Sequence, residues 1–206
     1  VTDLGIACDY RMTGSLRLTP TEEEAEDQRA SLPELNADGF RMLETEVKGN
    51  APAGSEHRFQ AAFVTPEDGE IHPVKFLHGV AESAVRRGAR LFERSAVTWG
   101  RWVGGLWEIR TATGQVRART VVIATNAYAP KLIPALGALI APRRGQMVCT
   151  APLGREIAMR PTYAHWGYRY WRQLPDTRLV FGGWRDLMLD NEGGYEEITT
   201  EPIKKA

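Results

Sequence analysis

The 206 residues carry 26 Lys+Arg against 26 Asp+Glu, with 43% hydrophobic and 25% charged content. This ordinary globular composition suffices for one sizeable domain, or one large domain plus part of another, and the zero net charge gives no electrostatic case for nucleic acid or an anionic membrane. The two cysteines, Cys8 and Cys149, exclude a zinc-ligand spacing or a disulfide framework, and no apolar stretch approaches a bilayer span.

The chain opens on Val1, with no charged-then-apolar leader, and stops at Glu201-Pro202-Ile203-Lys204-Lys205-Ala206 with no closing element in view. It reads as an excerpt of a longer, cytoplasmic protein. Residues Tyr10 to Leu18 read as a strand. Thr19-Pro20-Thr21-Glu22 then predicts a helix start, with Thr19 as the cap, Pro20 at the first helical position and Glu22 completing a capping box. The acidic run that follows reads as a solvated face at the positive end of the helix dipole, and Pro33 predicts an end near Ser31. Gln60 to Thr65 is a second strand, turned at Pro66-Glu67-Asp68-Gly69. Pro73 opens the strongest helix, with Leu77, Val80, Ala81 and Ala84 at i, i+3, i+4 and i+7 and Gly88 just past its end.

Ala89 to Trp99 reads as a strand. Leu106 to Thr111 and Gln115 to Val122 form a hairpin around Thr113-Gly114, and Tyr168 to Leu174 pairs with Leu179 to Gly183 around Pro175-Asp176. Leu139 to Thr150 contains a further strand. The run Val121-Val122-Ile123-Ala124-Thr125-Asn126 predicts a strand buried on both faces, with a ligand at its carboxyl end. Strands outnumber helices and hairpins dominate, so the fold class is α+β: a mainly antiparallel sheet with helices, attached to an incomplete α/β layer.

Six pieces stand in order: Gly69-Glu70-Ile71-His72-Pro73, Gly88-Ala89-Arg90-Leu91-Phe92-Glu93, Val121 to Tyr128, Pro142-Arg143-Arg144-Gly145-Gln146-Met147, Tyr170-Trp171-Arg172-Gln173-Leu174-Pro175 and Phe181-Gly182-Gly183-Trp184-Arg185-Asp186. In this order and spacing the chain resembles the FAD-dependent oxidoreductases of the D-amino-acid oxidase family, in particular the amine-oxidising branch. The resemblance covers nearly the whole chain. It implies a substrate domain at 1–87 and 129–206 and an internal piece of the FAD-binding domain at 88–128. The family's phosphate-binding G-x-G-x-x-G occurs nowhere in the 206 residues, and a closing segment is missing too.

The resemblance assigns the cofactor contacts to Val97, to Ala124, Thr125 and Asn126, and to Arg143, Arg144, Gly145 and Gln146. Arg and Gln donors there would favour the negative charge of a reduced flavin. Each has a plainer reading: a core Val, a strand-to-loop turn, a surface Arg pair. Tyr168, Tyr170, Trp171 and Trp184, with His165, are the candidate substrate wall. The plainer reading is a cross-strand aromatic cluster beside a structural His. No metal cluster, nucleophile triad or catalytic carboxylate pair stands out. The expected partner is a small amine or amino acid, with self-association through exposed strand edges. Two readings of the role stay open. One is flavin-dependent oxidation of a C–N bond to an imine. The other is a substrate-domain fragment or interaction module that binds no FAD by itself.

Overall fold

The computed structural model describes residues 1–188 and 190–201. Alternation along Ser15–Thr19 places Leu16 and Leu18 on one face of β1, and both are buried. Thr19 is the last residue of that strand. It pairs with Ala61, and its hydroxyl donates to the Ala61 carbonyl at 3.2 Å, so it cannot cap the helix. Thr21 does so: its Oγ1 accepts the Glu24 N–H at 3.2 Å. Helix α1 runs Glu22–Ala37 and passes through Pro33. The missing Pro33 N–H costs one ladder bond, and packing outweighs it. Leu32 covers the cluster of Ala25, Ala61 and Phe63, and the Asn36 side chain exchanges two hydrogen bonds with the Met42 backbone.

Among the described residues the strands form two sheets. The larger has seven strands in the order β2 (Leu43–Thr45), β3 (Ala61–Thr65), β1, β8 (Thr162–Ala164), β9 (Arg169–Gln173), β10 (Leu179–Gly183) and β7 (Met147–Cys149). Every neighbouring pair is antiparallel except β1 with β8. The mainly antiparallel sheet expected from the sequence is therefore present. One face buries Leu16, Leu18, Ala62 and Ala164 under Ala51, and the other buries Ala61 and Phe63 under α1. The strands β2 and β8 have three residues each and carry no sequence period long enough to read.

The second sheet is the meander β4 (Val97–Val103), β5 (Leu106–Thr111) and β6 (Gln115–Ala118). Gly104 and Gly105, at φ +58° and +82°, make the two-residue turn between β4 and β5, a conformation that favours glycine. This hairpin moves the strand expected at Ala89 to Trp99 towards Val103. Trp102 and Trp107 meet across it edge to face at 5.7 Å.

The strand predicted at Val121 to Ile123 does not form. The last β6 pair is Ala118 with Trp107, and beyond it β5 has run into its own turn, so no partner strand remains among the described residues. Val122 is 83% exposed. Helix α2, Pro73–Arg86, matches its expectation in extent, but its Leu77 faces outward at 64% exposure.

The described residues divide into two compact units. The first takes those of Val1–Val80, Gly145–Leu189 and Thr199–Ala206, and the second takes Ala81–Arg144 and Asp190–Ile198. No helix among the described residues is long and apolar enough to cross a membrane, and no group of three or more His, Cys, Asp or Glu there could hold a metal ion.

Candidate functional site

In the first unit, strand pairing lines up Arg17, Tyr163, Tyr170, Gly182 and Met147 along one row of the large sheet. Paired residues share a face. Gly182 of this row and its neighbour Gly183 let the backbone pack closely here. A Cβ on Gly182 would lie 2.8 Å from the Tyr170 ring and 2.6 Å from the Gln146 carbonyl. Gly183, at φ +126°, brings its backbone so close to Tyr168 that a Cβ would fall 1.9 Å from the Tyr168 carbonyl. A cavity beside this row measures about 360 Å³ and is lined by Tyr163, Tyr170, Trp171, Met147, Val180 and Ile71 among others. The Tyr163 and Tyr170 rings stand 6.5 Å apart.

A charged network borders this cavity. Arg11 and Glu70 form a short antiparallel bridge, Arg11 N–H to Glu70 O at 3.0 Å and Glu70 N–H to Arg11 O at 2.9 Å. The buried Glu70 carboxylate accepts from Arg11 and, at 3.5 Å, from Arg172 Nη1, which also donates to the Ile71 carbonyl at 2.9 Å. Glu70, Tyr163 and Met147 line this cavity without a role in the sequence reading, and Arg172 lines it as well. Glu70 stood in a quoted motif, yet its partners come from segments about 60 and 100 residues away, which no local pattern reveals. Tyr163 sits on the short β8.

The candidate substrate residues separate. Tyr170 lines the cavity. Trp171 borders it too, but alternation turns it toward the Leu16, Leu18 and Ala164 core. Tyr168, Trp184 and His165 gather around Arg169. Trp184 N–H donates to the Tyr168 carbonyl at 2.9 Å, and the Arg169 guanidinium lies 5.1 Å from the Trp184 ring while pairing with Asp186. Burial holds the His165 imidazole below its ordinary pKa, the Arg169 charge adds to this, and Asp186 opposes it. Burial works to raise Asp186, but the hydrogen bond and charge of Arg169 leave its carboxyl below the ordinary value.

Of the candidate cofactor residues, Gly145 and Gln146 lie in the first unit and the other six in the second. Val97 begins β4, 40% exposed. Ala124, Thr125 and Asn126 are exposed, with Asn126 at φ +48° opening a short 3-10 turn. Arg144 is committed within its unit. It pairs with the fully buried Glu192 at 3.3 Å and donates to the Gly193 and Glu196 carbonyls at 3.2 and 2.9 Å. Its backbone N–H donates to the Glu192 carbonyl at 2.7 Å, and Arg143 bridges Gly193. Arg172, Arg169 and Arg178 likewise have acidic neighbours, Glu70, Asp186 and Asp176.

Comparison with known proteins follows this geometry. Gamma-glutamylputrescine oxidoreductase of Escherichia coli (strain K12) is 30% identical over 193 residues, covering 86% of this chain and 43% of its own length. Among solved structures, L-proline dehydrogenase from P. horikoshii superposes with a TM-score of 0.83 at 21% identity, and glycine oxidase from Geobacillus kaustophilus with 0.77 at 19%. Each match covers 99% of this chain and 55% of the other. The chain therefore spans about half the length of the relatives it matches. The family profile described as FAD dependent oxidoreductase (DAO) matches residues 1–204, and the chain belongs to that family.

Proposed function

We propose that the parent protein oxidises the C–N bond of a small amine or amino acid with FAD, and that this chain supplies most of its substrate-binding sheet. In this reading 1–87 and 129–206 are substrate domain and 88–128 is an internal piece of the FAD domain. The observation that carries it is the aromatic cavity of Tyr163, Tyr170 and Met147, on a sheet within a chain that matches the family along residues 1–204. Cavities of this size, mostly apolar with a few placed polar groups, suit small ligands.

The residues present fit part of an FAD. Within the first unit, Gly145 would let a flat ring approach the backbone; within the second, Ala124 would do the same. Arg144, bound to Glu192 and two carbonyls, would act by fixing its segment rather than by reaching the ring. The pyrophosphate has no glycine-rich turn among the 206 residues. Bound FAD supplies acceptance of a hydride from the carbon next to the substrate nitrogen, leaving an imine that water hydrolyses. Tyr163 and Tyr170 would orient the substrate carbon chain.

The full-length protein, purified from cells, should show visible flavin bands. These should bleach anaerobically with one of gamma-glutamylputrescine, glycine or L-proline, the compounds named in its relatives. A colourless preparation would end the proposal. A second reading concerns the 206 residues alone, and the missing glycine-rich turn favours it: they bind no FAD. Equilibrium titration should give no stoichiometric complex, and a tight one-to-one complex would overturn that reading.

A further inference from the structure

We propose that Arg172 selects substrates carrying an anionic group several carbons away from the amine. The proposal rests on the amine-oxidising reading above and names the substrate class for that site.

Arg172 stands in a wall between two chambers. Glu70, Ile71, Pro73, Arg172 and Val180 line both the aromatic cavity and a second one of about 400 Å³. Both chambers share Glu70 and Arg172, and the second adds Asp9, Arg11, His72, Asp176 and Arg178 to its lining. A two-carbon amino acid would fill a fraction of either chamber. A chain with methylenes along Tyr163 and Tyr170 and a polar end past Arg172 uses both.

The charges around the second chamber do not balance. Lys75 grips Asp9 at 2.7 Å and Arg178 grips Asp176 at 2.7 Å. Lys75 holds the Asp9 carboxyl below its ordinary pKa. Arg11 and Arg172 share Glu70, and Arg11 is the nearer. Four cationic side chains thus meet three carboxylates, and the surplus falls on Arg172. Its hydrogen bonds to described residues both run through Nη1, to Ile71 O and Glu70. A guanidinium is a rigid planar fork with donors on two edges. With one edge fixed by Glu70 and Ile71, the other is presented in a set orientation, and a carboxylate is the group such an edge binds with two parallel bonds. Glu70 is accordingly a positioning residue for Arg172.

The test uses the 206-residue chain without flavin, so its outcome is separate from the flavin bands that judge the oxidase reading. Calorimetric titration at low ionic strength compares 6-aminohexanoate with hexylamine, which share a carbon chain and an amine and differ in the carboxylate. 6-Aminohexanoate should bind about tenfold more tightly, the scale of one charge-assisted pair. Arg172→Gln should bring the ratio close to one, and Arg172→Lys should retain part of it. Because Arg172→Gln removes one of the two arginine partners of the buried Glu70, the double variant Glu70→Gln/Arg172→Gln serves as its partner, with a circular-dichroism melt to establish folding. Equal binding of the two probes, no saturable binding of 6-aminohexanoate, or a preference that survives in the folded double variant would each overturn the proposal.

Discussion

Glu24 shows how one side chain can both hold and weaken a fold. It is 1% exposed; one carboxylate oxygen accepts the Trp166 N–H at 2.7 Å, and the other has no hydrogen-bond partner. Burial raises its pKa, against opposing help from the Trp166 N–H and Arg17. For an acid raised on folding, stability is fullest below the unfolded-state value, about 4.3, and declines as pH rises through the folded-state value. Glu24→Gln keeps the acceptor for Trp166 and removes the charge. It should match the wild type at about pH 4 and exceed it at about pH 7 in urea unfolding midpoints; a difference independent of pH would contradict this. Gly183 is the other residue under local compulsion. Gly183→Ala should cost roughly 3 kcal/mol or more, from a strained φ added to a backbone clash, read from the same unfolding curves.

At the scale of elements, side chains from distant segments decide where structure begins and ends. Thr21→Ala should cost about 1 kcal/mol through loss of the α1 cap, whereas Thr19→Ala would test a strand residue. The segment Asp190–Ile198 joins the second unit through Arg144 and Glu192. Glu192→Ala should destabilise that unit by about 3–5 kcal/mol, the cost of breaking a buried pair. Hydrogen exchange resolved by segment would show the loss in the second unit. These same elements mark the limits of sequence reading. The helix α2, β3, the β5–β6 hairpin and the β9–β10 hairpin were legible because period and turn chemistry agree there. The passage of α1 through Pro33 was not, because Leu32 packing lies outside any local window. The Glu70–Arg172 pair was invisible for the same reason, although both residues stood in motifs already quoted.

For the whole molecule, the α+β class and the mainly antiparallel sheet were legible, and the state of the Val121–Ile123 run was not. The residues have the composition of a strand buried on both faces, and a strand also needs a paired neighbour. Amides of Val121, Val122 and Ile123 should exchange at near random-coil rates in the 206-residue chain, while those of Leu16, Leu18 and Ala62 exchange slowest. Slow exchange at Val122 would mean that this run acquires partners in solution. If the parent protein completes the cofactor layer, the same amides should become protected in it.

The parallel seam of the large sheet, β1 against β8, has a consequence for how the protein is made. Leu16 and Thr162 are neighbours in the sheet but roughly 150 residues apart along the chain. Synthesis at about 5–20 residues per second leaves β1 without its second partner for on the order of ten seconds. During that interval one backbone edge of β1 is open, with β3 paired on the other. The nascent chain is thus most prone to aggregate before Ala164 emerges, and chaperone demand should peak there rather than at the end of translation.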